Sequence, residues 1–205
     1  MSTVPATRSA PSTTSWGRAP LIVALALAAG PALAHPGHSG HGAVLGLTEG
    51  LIHPLTGADH LLAMISVGLW ATLRGGKAMW AWPAAFAVAL VAGFALARLD
   101  GGFPYVEPMI LASVIALGAL TAANARVPTL VGVALIALFG AAHGYAHGGE
   151  ASGATREFAF GMTLSTVALH LVGLAVGLAL IQHPRVVRLI GLGALIGGLA
   201  LAVAG

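Results

Sequence analysis

The sequence predicts an all-α protein, a polytopic bundle of transmembrane helices with about six spans after a cleaved signal peptide. Three observations carry that expectation. Charged residues make up only 7% of the 205 and hydrophobic residues 58%, whereas a soluble domain carries about 25% charged residues. Apolar runs of the roughly 20 residues needed to cross a bilayer core recur from residue 44 onward. The 29 glycines spread through those runs suit helices that approach closely in lipid, where small residues make the interfaces.

Residues 1–34 have the parts of a secretory signal. Arg8 and Arg18 lie in a Ser/Thr-rich n-region, Leu21 to Gly30 is a short apolar core, and Pro31-Ala32-Leu33-Ala34 supplies a small–x–small cleavage pattern. The alternative is an uncleaved first span, but the apolar run is short for that role. Cleavage leaves residues 35–43 as an external arm containing His35, His38 and His41. With Gly and Pro between them these imidazoles cannot pack a core. They form either a metal-collecting arm or a polar tail that happens to be rich in histidine.

The transmembrane domain covers 44–205, with spans expected at about 44–73, 79–99, 105–123, 128–146, 158–182 and 186–205. The first is too long for one straight helix, and Pro54 and Gly57 mark the expected break. With the mature N-terminus external, one set of loops holds Arg74, Lys77, Arg126, Arg185 and Arg188, and the other holds Arg98 and Arg156. The positive-inside rule makes the first set cytoplasmic. Two sets of three helices in opposite orientation are a further possibility. Gly50-Leu51-Ile52-His53 and Gly140-Ala141-Ala142-His143 open the two halves with the same Gly-x-x-His spacing.

Function is concentrated in the run from His53 to Trp70, HPLTGADHLLAMISVGLW. An Asp at a span centre costs roughly 2.5–3.5 kcal/mol on the biological insertion scale, so Asp59 needs a partner or a cargo. His60 is adjacent and His53 lies seven residues earlier, which on a continuous helix returns nearly to one face. Two imidazoles and a carboxylate suit a borderline divalent metal such as nickel, cobalt or zinc. The competing reading is a pair of core histidines tied to backbone carbonyls. His143 and His147, four apart, are expected to stack on one helix face as a chelate, with Glu150 just beyond and His143, the deeper, at least as important. They also fit an ordinary polar helix end. His170 lies deep in the fifth span with Thr166 a turn before it, and is open to reading as a ligand, a proton acceptor or a packing group. Glu107 stands at the mouth of the third span. Glu150, Glu107 and His170 are thus secondary candidates for a metal or proton path.

The absence of cysteine removes disulfides, thiolate metal sites and Cys nucleophiles. Nine Lys+Arg against six acids form no basic cluster, which argues against nucleic acid as a partner. Met64, Met109 and Met162 without spaced Met pairs argue against a copper(I) path. No Walker sequence is present for ATP drive, nor a His-Glu-x-x-His protease helix.

The motif His53-Pro54-Leu55-Thr56-Gly57-Ala58-Asp59-His60-Leu61-Leu62-Ala63-Met64, continued by Val67-Gly68-Leu69-Trp70-Ala71, resembles the HupE/UreJ family of hydrogenase and urease accessory membrane proteins. So does His143-Gly144-Tyr145-Ala146-His147-Gly148, and so does a signal peptide followed by a His-containing mature start. The resemblance covers essentially the whole mature chain. It implies a nickel or cobalt permease of about six spans in a bacterial inner (plasma) membrane, with His53, Asp59, His60, His143 and His147 in the metal path. The expected function is import of nickel or cobalt for a metalloenzyme such as hydrogenase or urease, with the ion as cargo and no permanent cofactor. Lipid and the divalent ion are the expected partners, with a homo-oligomer or metalloenzyme-maturation proteins as further ones. Two other classes compete with this non-enzymatic reading. One is an intramembrane metal-dependent hydrolase, and the other is a metal-binding sensor or assembly protein without transport.

Overall fold

The computed structural model describes residues 42–99, 104–151 and 153–204. The expected signal peptide and the arm with His35, His38 and His41 lie outside the described residues. These fold into seven helices: α1 (Ala43–Thr56), α2 (Ala58–Arg74), α3 (Ala78–Ala97), α4 (Val106–Ala122), α5 (Thr129–Glu150), α6 (Thr155–Ala179) and α7 (Pro184–Ala204). Four of them, α3, α5, α6 and α7, are long and apolar enough to cross a membrane. Helix α4 is apolar but has 17 residues, and the first long apolar run is divided between α1 and α2.

That division falls at Gly57, which is extended (φ −84°, ψ 119°) between the two helices. Pro54 remains inside α1. Its missing N–H removes one bond of the ladder close to the end of the helix, where the loss is small. The second helix starts at once, with the Leu61 N–H donating to the Gly57 carbonyl at 3.0 Å. Glycine is required here by space. A Cβ would lie 2.8 Å from Asp59 Oδ1 and 2.9 Å from His60 Nδ1.

Helix α5 runs four residues farther than the sequence suggested, to Glu150. Its glycines stay helical at the end because the exposed carbonyls are met: the Ala151 N–H bonds the His147 carbonyl at 3.0 Å, and the Arg98 guanidinium donates to the Ala151 carbonyl at 2.9 Å. A cation at a helix C-terminus also opposes the partial negative charge there. The opposite end of the bundle is tied in a similar way. Donors from three other helices reach the backbone at or next to the α4–α5 loop: Trp70 Nε1 to Ala125 (2.9 Å), Arg74 Nε to Val127 (2.9 Å), Trp82 Nε1 to Thr129 (3.0 Å) and Arg188 Nε to Ala122 (2.7 Å). Arg74 and Arg188, assigned by charge to one side of the membrane, do share one end of the bundle.

The helices meet backbone to backbone through glycine. Gly140, Gly144 and Gly148 of α5 sit on the carbonyls of Phe86, Leu90 and Phe94 of α3. Both series ascend together, so α3 and α5 run parallel. Gly46 and Gly50 of α1 face Ala154 and Phe158 of α6, and Gly68 of α2 faces His170 and Leu174, so α6 runs parallel to α1 and α2. Gly118 of α4 faces Leu195, while Gly191 of α7 faces Thr121 and Ala122, an antiparallel pair. The two Gly-x-x-His segments are therefore placed alike. Gly50 lies on the Phe158 carbonyl and Gly140 on that of Phe86. Three residues on, the His53 ring packs 5.9 Å from the Phe158 ring and the His143 ring 5.3 Å from that of Phe86. Each segment thus sets a Gly, and a His three residues on, against a Phe of a helix that runs parallel to its own.

Candidate metal centre

Three imidazoles converge where α1 ends, α2 begins and α5 ends. His53 is in the last turn of α1, His60 in the first turn of α2 and His147 in the last turn of α5. His60 Nε2 stands 2.6 Å from His147 Nε2. The His53 ring lies 4.2 Å from that of His147 and 5.4 Å from that of His60, centroid to centroid. One ligand atom from each of the three lies within 4.8 Å of the others. His60 and His147 are buried and His53 is half-buried. The α1 C-terminus brings partial negative charge toward the cluster, whereas Arg98 opposes that of α5 and the α2 N-terminus adds partial positive charge.

Asp59 fixes the orientation of His60. Its Oδ1 accepts from the His60 backbone N–H at 2.8 Å and lies 2.7 Å from His60 Nδ1. An ionised carboxylate at Nδ1 keeps the proton on that nitrogen and leaves Nε2 with a lone pair. The Nε2 so prepared is the one that faces His147. The seven-residue spacing from His53 to His60 thus works across a helix break and not along one continuous face.

His143, the other half of the expected i,i+4 chelate, is placed differently from His147. Its ring is 5.0 Å from that of His60 and it is fully buried, yet it stands outside the triad that His147 completes. The cause is local. The His143 Nδ1–H donates to the Phe139 carbonyl one turn back at 3.0 Å, while His147 lies in the turn that reaches the broken helix. His170 is likewise apart from the triad, fully buried in α6 with its ring 5.0 Å from Phe86. Glu107 is exposed in the first turn of α4. Glu150 closes α5, and its side chain lies outside the described residues. Phe86 and Phe158, the aromatic neighbours of His143 and His53, were not singled out from sequence. The signal was available as a second repeat, Phe86-Ala87 and Phe158-Ala159, which becomes legible only once the Gly-x-x-His segments are seen to face it.

The sequence profile of the HupE / UreJ proteins matches residues 23–201. The chain belongs to the HupE/UreJ family. It is 38% identical over 187 residues to Protein HupE of Rhizobium leguminosarum bv. viciae, a match that spans 90% of this chain and 92% of that protein. No solved structure matches the chain. HupE/UreJ membership and the four membrane-length helices agree on a helical membrane protein. The two segments on which the resemblance rested, at His53–Trp70 and His143–Gly148, are those that supply His53, His60 and His147 to one cluster.

Proposed function

We propose that this HupE/UreJ protein is a permease that imports a divalent transition metal, nickel or cobalt, across the bacterial inner membrane for maturation of a metalloenzyme such as a hydrogenase or a urease. The observation that carries the reading is the convergence of His53, His60 and His147 from three helices, with Asp59 holding one of them. Neutral imidazole suits nickel and cobalt, and the carboxylate offsets part of the ion's charge where water is scarce. Three protein ligands leave positions for water, so the ion is bound without being trapped, as passage requires.

In this reading α1 and α2 together make the first of six crossings, and α3 to α7 the rest. The parallel pairs α3–α5 and α1/α2–α6, with the antiparallel pair α4–α7, fit alternating crossings. The mature N-terminus is external and the α4–α5 end of the bundle cytoplasmic, by the distribution of Lys and Arg. His35, His38 and His41 form a collecting arm. It raises local ion concentration but is no part of the barrier. Changing His38 and His41 to Ala therefore raises the half-saturating metal concentration and leaves maximal uptake near wild type.

Uptake of radioactive nickel or cobalt by cells with the protein, without it, or with His60→Ala at equal membrane abundance tests the reading. Uptake that needs the protein and fails with His60→Ala supports a permease. Metal bound by the purified protein without any protein-dependent uptake would make it a metal-binding assembly protein.

A further inference from the structure

Below the triad the interior holds polar atoms that the packing does not explain. His143 Nε2, Thr166 Oγ1 and both ring nitrogens of His170 are buried without a hydrogen-bond partner among the described residues. Each such atom costs about 1–3 kcal/mol when left unmet, and unmet buried groups call for a water or an ion. Thr166 and His170 are four apart on α6, so they share one helix face. His143 and His170 both pack on the Phe86 ring, at 5.3 and 5.0 Å. The level of His170 is marked by Gly68 of α2, which lies against the His170 carbonyl. Gly68 is eight residues past His60, about 12 Å farther along the helix axis at 1.5 Å per residue.

We propose that Thr166 and His170 form a second, inner station for the same divalent cation, which His143 passes inward from the triad beside Phe86. This rests on the permease reading above. The ligand chemistry is that of an imidazole and a hydroxyl completed by water, weaker than the triad because it offers one imidazole in place of three and has no carboxylate behind it. A weaker station farther along the path suits release. An ion leaves a multi-site path when successive sites are comparable or looser. It also explains why an imidazole with two unmet nitrogens sits in α6, a helix whose packing against α2 requires only small residues at Gly173 and Gly177.

The test uses the purified full chain in detergent with Co2+ as the probe, and uptake of the same ion in cells. With His35, His38 and His41 changed to Ala in every chain compared, so that the collecting arm holds no ion, the otherwise wild-type protein binds two Co2+ by equilibrium dialysis, one more weakly. His170→Leu, which removes both nitrogens at similar volume, keeps the tighter ion, loses the weaker one and lowers maximal uptake several-fold. Thr166→Val has the same effects in smaller measure, and decides the matter if His170→Leu does not assemble. One bound Co2+ in wild type, lost in His147→Ala, together with unchanged uptake in the α6 variant, would overturn the inner station and leave the triad standing: the unmet atoms would then hold water only. No Co2+ bound by wild type would defeat the permease reading itself.

Discussion

His60 Nε2 and His147 Nε2 meet at 2.6 Å although 87 residues of chain separate them. Two neutral imidazoles at that distance share one proton, and in the proposed reading a divalent ion bound by both Nε2 atoms would displace it to His147 Nδ1 or to water. The contact ranks the two histidines of α5 in an order opposite to that expected from depth. His147→Ala should weaken metal binding by more than the about 10–100-fold typical of losing a group that only supports a ligand. His143→Ala should leave binding at the triad close to wild type and reduce uptake. Isothermal titration of both variants with nickel checks the order, and equal losses of affinity would place His143 among the ligands.

Gly57 gives a test that leaves every ligand in place. In Gly57→Ala the new methyl presses on Asp59 Oδ1 and His60 Nδ1, both under 3 Å from its position. Alanine otherwise favours helix over glycine by about 1 kcal/mol, so the variant should be no less helical by circular dichroism. Its nickel affinity should nevertheless fall, by about 10–100-fold if the Asp59–His60 pair is displaced. Wild-type affinity in a folded Gly57→Ala would show that the pair tolerates displacement.

Much of this was legible in the chain before its fold was known. The helix break was marked by Pro54 and Gly57, and the candidate metal residues by the cost of burying Asp59 and by the repeated histidines, three of which the fold brings together. What the chain could not show was pairing between distant helices. That His147, and not His143, joins His53 and His60 in one group of ligand atoms depends on where α5 crosses α3, which is set by Gly140, Gly144 and Gly148 against Phe86, Leu90 and Phe94. Gly140, Gly144 and Gly148 stand four apart and so mark a close-packing helix face, but nothing in the sequence says which helix meets that face. The helix end at Glu150 was missed for a similar reason, because its carbonyls are met by Arg98 from another helix.

The α3–α5 crossing should accept nothing larger than glycine at its centre. A Cβ on Gly144 would run into the Leu90 carbonyl, and backbone cannot swing aside as a side chain can. Overpacking typically costs about 1–3 kcal/mol, and more where backbone must move. Gly144→Val should lower the apparent Tm in detergent and reduce the amount recovered as a single species by size exclusion. Gly193→Val in α7, where a Cβ meets nothing within 4 Å, is the matched control and should behave as wild type.

The proposed orientation in the membrane rests on the distribution of Lys and Arg. Lys77→Cys and Arg185→Cys should resist an impermeant thiol reagent in intact cells and react after lysis, whereas Arg156→Cys, exposed at the start of α6, should react in intact cells. The chain has no cysteine of its own, so the signal is unambiguous. Labelling of position 77 or 185 from outside would invert the bundle.

A half-buried carboxylate and three imidazoles are proposed to carry a divalent ion, and Asp59 is where that reading is most open to contradiction. Asp59→Asn keeps size and one oxygen but removes the charge that offsets the cation and holds the His60 proton. The measurement is the initial rate of nickel uptake by cells at matched membrane abundance, since losing one partner of a buried pair can also impair folding. The account predicts uptake at the level of cells lacking the protein. A normally inserted Asp59→Asn that transports at the wild-type rate would contradict it.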